Sequence, residues 1–149
     1  MALDIETLKD IWAEFIYEGK LDPRIQPPVA DSWQKCRAYG VNPEGGCGTR
    51  VADAVFQSIK DANRTLTDTA MPIMHSVFEI VQRSHFMLVL TDAVGYILVS
   101  IGDEMIMSKT RDMRYVAGAL WNSQSVGTNA ISVALDYDTA IQMVGPEHY

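Results

Sequence analysis

Cysteine is scarce in this chain: two in 149 residues, Cys36 and Cys47. That is too few for a disulfide framework, and the two stand too far apart for the close Cys pairs of a zinc site. The three histidines, His75, His85 and His148, are scattered, so no metal site is expected. Positive charge is short as well. Twelve Lys and Arg against nineteen Asp and Glu leave a formal net charge of −7 and a pI near 4.8. A broad nucleic-acid footprint needs clustered positive charge to displace counterions from phosphates, so direct DNA binding would have to belong to another part of a longer protein. No apolar run approaches the roughly 20 residues of a membrane span. The start, MALDIETLKDIW, carries acids where a secretory signal carries basic and then unbroken apolar residues. These features predict a cytoplasmic protein with free thiols and no membrane contact.

Catalytic and cofactor motifs are missing too. There is no Gly-x-x-x-x-Gly-Lys-Ser/Thr loop to cradle phosphate and no Gly-x-Gly-x-x-Gly after a strand. Gly45-Gly46-Cys47-Gly48 follows no strand and precedes no lysine, which makes it a flexible joint. No Gly-x-Ser-x-Gly elbow occurs. The acidic pairs Asp103-Glu104 and Asp136/Asp138 fit a solvated face in an acidic chain. The expectation is a protein that is not an enzyme and needs no cofactor.

What is present suits one folded domain: 48% hydrophobic and 21% charged residues with mean hydropathy near zero. A chain of this size buries roughly 68–70% of its unfolded surface, enough for a core without metal or disulfides. Asp4 can cap a helix whose apolar positions Ile5, Leu8, Ile11, Trp12, Phe15 and Ile16 recur at helical spacing up to Gly19. That stripe must pack on the domain or pair with a second chain. A second helix begins near Pro28, carries Val29, Trp33 and Cys36 on one stripe, and ends at Gly40. The glycine-rich stretch Asn42–Thr49 reads as a linker. Helical spacing resumes from Arg50 through Val51, Val55, Ile59 and Ala62, breaks near Thr65–Thr67, and continues through Ile73, Met74, Val77, Phe78 and Val81, with Pro72 early in the later helix.

The period then changes. Phe86–Thr91 and Tyr96–Ile101 are short apolar runs joined by Asp92-Ala-Val-Gly95, a hairpin signal with Gly95 free to take positive φ. Both faces of the first run are apolar, so that strand is expected to be covered on both sides. Residues 102–124 predict a loop with a short strand or helical turn. Thr128–Leu135 predicts a short helix, and Ala140–Val144 a strand. Met105, Met107, Met113 and Met143 fit either an ordinary core or the wall of a small-molecule pocket, since flexible thioethers adapt to both.

Several separated signals share a pattern. Ser32-Trp33-Gln-Lys-Cys36 and Gly40-Val41-Asn-Pro43 come first, followed by Leu90-Thr91-Asp92-Ala93 with Gly95-Tyr-Ile97-Leu98. After them come Gly118-Ala-Leu-Trp121, Gly127-Thr-Asn-Ala-Ile-Ser-Val-Ala-Leu135 and Gly145-Pro-Glu-His-Tyr149. In order and spacing, about residues 21–149 resemble the GAF sensory domain at the N-terminus of sigma-54-dependent activators of the acetoin-catabolism and dihydroxyacetone-kinase-operon type. Asn122-Ser123 stands where that group carries Ser-Glu, and Ser132-Val133 where it carries Gly-Thr.

The resemblance implies an α+β fold, a GAF-like antiparallel sheet flanked by helices. Residues 1–49 would form a helical region with its linker, and 50–149 a sensory domain truncated before its C-terminal strands. It implies signal sensing: a small metabolite binds the domain and controls a downstream ATPase and DNA-binding module, through which sigma-54 RNA polymerase and DNA are engaged. A homodimer is expected. The candidate ligand residues are Trp121, Asn122, Thr128, Asn129, Met105, Met107 and Met143, although Thr128-Asn129 also reads as a plain helix cap and Trp121 as a core anchor. Glu147-His148 is expected to be mobile at the chain end. The alternative is an interaction or dimerisation module with no small-molecule ligand. A GAF-fold methionine sulfoxide reductase is a weaker reading, because both cysteines precede the predicted sheet and Cys36 sits on an apolar stripe.

Overall fold

The computed structural model describes residues 3–149. The chain divides into two compact units, Met1–Gly46 together with Asn122–Tyr149, and Cys47–Trp121. It leaves the first unit near the expected linker and returns to it at Asn122.

The first unit is helical. Helix α1 (Ile5–Glu18) starts where the Asp4 carboxylate accepts from the Thr7 backbone N–H at 2.9 Å and the Thr7 hydroxyl at 2.8 Å. It stops at Gly19, which takes the left-handed conformation. Leu8, Ile11 and Phe15 bury one stripe; by the usual scale each contributes about 1.5–3 kcal/mol relative to exposure. Helix α2 (Pro27–Tyr39) opens on two prolines, whose missing N–H groups cost nothing in a first turn. It buries Val29, Ser32, Trp33 and Cys36; Val29, Trp33 and Cys36 share one core with the α1 stripe, and the Phe15 and Trp33 rings lie 5.3 Å apart. The α1 stripe is therefore satisfied within the unit.

The C-terminal segment completes this core. Helices α6 (Ser123–Val126) and α7 (Ala130–Tyr137) pack on α2, and a single 3-10 turn, Gly145–Glu147, packs on α1. Two expectations change here. Ala140–Val144 is not a strand: its apolar residues Ile141 and Met143 pack against the helical core, and among the described residues no strand pairs with it. Glu147 and Tyr149 are buried rather than mobile, because the turn is fixed by Glu147 N–H to Val144 and the last residue by Tyr149 N–H to Thr128.

The second unit mixes helix and sheet. Strand β1 (Thr49–Arg50) pairs antiparallel with β4 (Ala119–Leu120). Helices α3 (Asp53–Ala62) and α4 (Arg64–Val81) meet at Asn63, whose side chain donates to the Ile59 carbonyl at 2.9 Å. The break thus falls before Thr65–Thr67, and Pro72 lies inside α4 rather than early in it. Strands β2 (Met87–Thr91) and β3 (Ile97–Gly102) form the expected hairpin, with Met87 opposite Gly102. One Asp92 carboxylate oxygen accepts the backbone N–H of Val94, Gly95 and Tyr96, each at 2.9 Å, and Gly95 takes φ 102°. Helix α4 packs on this hairpin, yet β2 is only half-buried along its length, so the expectation of cover on both sides does not hold. Helix α5 (Glu104–Arg111) follows. The result is a mixed α+β fold with small antiparallel sheets. Among the described residues no helix is long and apolar enough to cross a membrane.

Candidate functional site

Two features of the first unit are built from polar groups that its helices hold in place. One is a buried cluster where α2 meets the start of α7. The Ser32 hydroxyl lies 2.8 Å from that of Thr128, and Cys36 Sγ lies 3.3 Å from the same Thr128 oxygen. Asn129 caps α7: its side chain accepts from the Ser132 N–H at 3.0 Å and donates to the Gly127 carbonyl at 2.9 Å, while the Ser132 hydroxyl answers its backbone N–H. Burial pushes the Cys36 thiol above its ordinary range, which makes it a poor thiolate and a poor nucleophile. Cys47 is exposed in the linker.

The other feature is a cavity of about 430 Å³ lined by Leu3, Leu8, Arg24, Gln26, Gln142, Val144 and Glu147. Its polar wall is pre-set. The Gln26 side-chain amide donates to the Gln142 carbonyl at 3.1 Å and to Glu147 Oε1 at 2.9 Å, and Glu147 Oε2 accepts from the Val144 N–H at 2.8 Å. The Arg24 guanidinium is clamped by Asp22 at 2.7 Å, and the hydrogen bonds from Arg24 hold the Asp22 carboxyl down to about 2. Leu3, Leu8 and Val144 supply the apolar part. The volume falls within the usual range for small-molecule sites, which pair apolar walls with a few fixed polar groups. A smaller cavity of about 260 Å³ in the second unit is lined by charged residues of α3 and α4 and by Leu98 and Val99.

The residues expected from the sequence are distributed between the two units. Thr128 and Asn129 lie together in the buried cluster, with every polar contact named above made to protein groups. Asn122 caps α6, accepting from the Ser125 N–H at 2.9 Å. Met143 packs half-buried on the first unit's core. Trp121, Met105 and Met107 belong to the second unit. There the Trp121 ring meets Tyr115 edge-on at 4.5 Å and its N–H donates to the Arg114 carbonyl at 3.2 Å. Met105 is exposed on α5, and Met107 is part-buried on the same helix. The sequence did not single out Arg24, Gln26 and Gln142 as ligand residues; the paired prolines after Gln26 and the Gly-Pro-Glu turn hinted at a fixed corner. Among the described residues no group of three or more His, Cys, Asp or Glu side chains could hold a metal.

Among solved structures, this fold is shared by a chain of the crystal structure of the E. coli DhaR(N)–DhaL complex. The TM-score is 0.78 at 19% identity, covering 83% of this chain and 42% of that one. Residues 8–149 match the family model described as MimR, N-terminal domain, and the chain belongs to that family. It is 31% identical over 141 residues to the acetoin dehydrogenase operon transcriptional activator AcoR of Bacillus subtilis (strain 168), covering 93% of this chain and 23% of that protein. To the propane 2-monooxygenase operon transcriptional activator MimR of Mycolicibacterium goodii it is 29% identical over 138 residues, covering 91% and 23%. The chain thus spans about a quarter of the length of these relatives, which are transcriptional activators rather than enzymes.

Proposed function

We propose that this chain is the signal-input domain of a sigma-54-dependent transcriptional activator, a GAF-type sensor working in the cytoplasm, and that it takes a small metabolite in the first unit's cavity. The observation that carries this reading is the cavity itself, in a chain whose family relatives are activators. Gln26 offers an amide and Glu147 a carboxylate with unused acceptor capacity, beside Leu3, Leu8 and Val144. This set fits a small molecule with hydroxyl or other N–H/O–H donors and a short apolar body. Thr128 and Asn129 would then act from behind, by fixing the start of α7, while Trp121, Met105 and Met107 would answer to a ligand in the second unit.

Occupancy can regulate only by differential affinity. Turning a 1:99 equilibrium into 99:1 requires about 5.5 kcal/mol. The downstream ATPase and DNA-binding parts, and the polymerase they engage, belong to the longer protein; a homodimer is part of the same reading.

Reporter transcription in cells carrying the intact regulator tests this. Removing the segment that corresponds to this chain should abolish the response to the inducing compound while leaving expression independent of it. A response retained in full after the deletion would refute the proposal. A second reading has one specific support: the solved structural relative is a complex, DhaR(N)–DhaL. On that reading the signal arrives as a protein surface, and thermal stability would rise with a purified partner but with no small molecule.

A further inference from the structure

Glu147 is only 6% exposed, and among the described residues no Lys, Arg or His side chain is ion-paired with it. Both carboxylate oxygens act as acceptors, one for the Gln26 amide and one for the Val144 N–H, the pattern of an ionised acid. Two neutral donors offset part of a buried charge, but a buried carboxylate is ordinarily paired with a cation as well. The guanidinium that lines the same cavity is committed elsewhere. Arg24 donates to the Asp22 carboxylate through both Nε and Nη2, the latter at 2.7 Å, and Glu14 acts on it too. Arg24 and Asp22 cancel, which leaves Glu147 to set the charge of the cavity.

Gln26 supplies a second acceptor. Its Nε2 is held between two acceptors, the Gln142 carbonyl and Glu147, and this fixes the orientation of the amide. Among the described residues no protein donor reaches its Oε1. A ligand entering the cavity displaces solvent from these oxygens. A neutral molecule then leaves the Glu147 charge less compensated, an anion is repelled, and a cation pairs with it. We propose that the cavity selects an organic ammonium, a protonated amine on a short apolar chain. Its N–H groups bond the Glu147 carboxylate and Gln26 Oε1, and its carbons lie against Leu3, Leu8 and Val144. The inference rests on the cavity's being the sensory site and names the class of molecule read there.

Titration of the whole chain with n-butylammonium, 1-butanol and butyrate, followed by nuclear magnetic resonance, tests it, since the three share a length and differ in charge. The ammonium should bind about tenfold more tightly than the alcohol, the gain of a charge-assisted over a neutral hydrogen bond. Butyrate should bind more weakly than either. The shifts should centre on the Gln26 side-chain amide and the Val144 N–H. Glu147→Gln, with an unchanged circular dichroism spectrum, should abolish the preference for the ammonium. Arg24→Gln, at a side chain 55% exposed, should tighten ammonium binding by leaving Asp22 uncompensated, and it decides the matter where Glu147→Gln does not fold. Equal binding of the alcohol, tighter binding of butyrate, or shifts confined to the second unit would overturn the ammonium site and leave a small-molecule sensor standing. So would a preference that survives Glu147→Gln, or ammonium binding weakened by Arg24→Gln. Binding of none of the three would also overturn it, while the sensory reading is decided separately by the reporter response to the inducing compound.

Discussion

The indole N–H of Trp33 donates a 2.7 Å hydrogen bond to the backbone carbonyl of Glu147, 114 residues further along the chain. The bond is buried, and it fastens the C-terminal turn to α2, beside the cavity that Gln26 and Glu147 share. Trp33→Phe keeps most of the ring and strands the carbonyl, a loss of about 1–3 kcal/mol. Trp33→Ala adds a cavity and should cost about 3–5 kcal/mol. Urea unfolding of both variants checks the difference; no loss in Trp33→Phe would mean that packing alone holds the turn.

Gly127 takes φ 92°, and a Cβ there would stand 2.7 Å from the Tyr149 carbonyl oxygen. A backbone atom cannot swing aside as a flexible side-chain tip can. Gly127→Ala should therefore destabilise the first unit by at least the 1–3 kcal/mol typical of a strained backbone position, displacing Tyr149 from Phe15, where the rings meet edge-on at 6.5 Å. Thermal unfolding with near-ultraviolet circular dichroism would show both effects.

Thr128→Val keeps the shape and deletes the hydroxyl that Ser32 and Cys36 share. Leaving the Ser32 hydroxyl buried without that partner should cost about 1–3 kcal/mol, read by chemical denaturation. Ser32→Ala/Thr128→Val, which removes both hydroxyls, should recover part of the loss.

Thiol accessibility gives a sharper contrast. Cys47 is exposed, whereas Cys36 is buried with its thiol pushed up, and thiolate population governs alkylation. Mass spectrometry after iodoacetamide treatment should find Cys47 modified in the native protein and Cys36 modified only in denaturant. Equal labelling under native conditions would contradict the packing of α2.

The Asp22 carboxyl is held at about 2 by Arg24, below the ordinary value near 3.9. A depressed acid contributes stability above its unfolded pKa and loses it as pH falls through the folded one. The Asp22–Arg24 turn should thus persist near pH 4 and loosen toward pH 2, as followed by the Asp22 carboxyl signal in NMR titration.

Local chemistry was legible in the sequence. Asp4 and Gly19 bracket α1 by capping and by left-handed backbone; Asp92 and Gly95 write the hairpin turn; Asn129 announces α7. What escaped was non-local. The alternation in Ala140–Val144 has the period of a strand, but a strand needs a neighbour, and Ile141 and Met143 found a helical core instead. The return of Glu147 and Tyr149 to Trp33 depends on packing between segments more than a hundred residues apart, which no local period encodes. At the candidate site, Thr128 and Asn129 were legible as cap residues. Arg24 and Gln26 were not legible as cavity residues, since they line it only where the C-terminal turn comes to rest.

The central claim, a small-molecule signal read in the first unit, is tested most directly by titration calorimetry of the purified chain with the compound that induces the intact regulator. The account predicts saturable one-to-one binding, weakened about tenfold or more by Gln26→Leu, a loss of about 1.4 kcal/mol. Absence of heat with that compound, or binding that Gln26→Leu leaves unchanged, would contradict it.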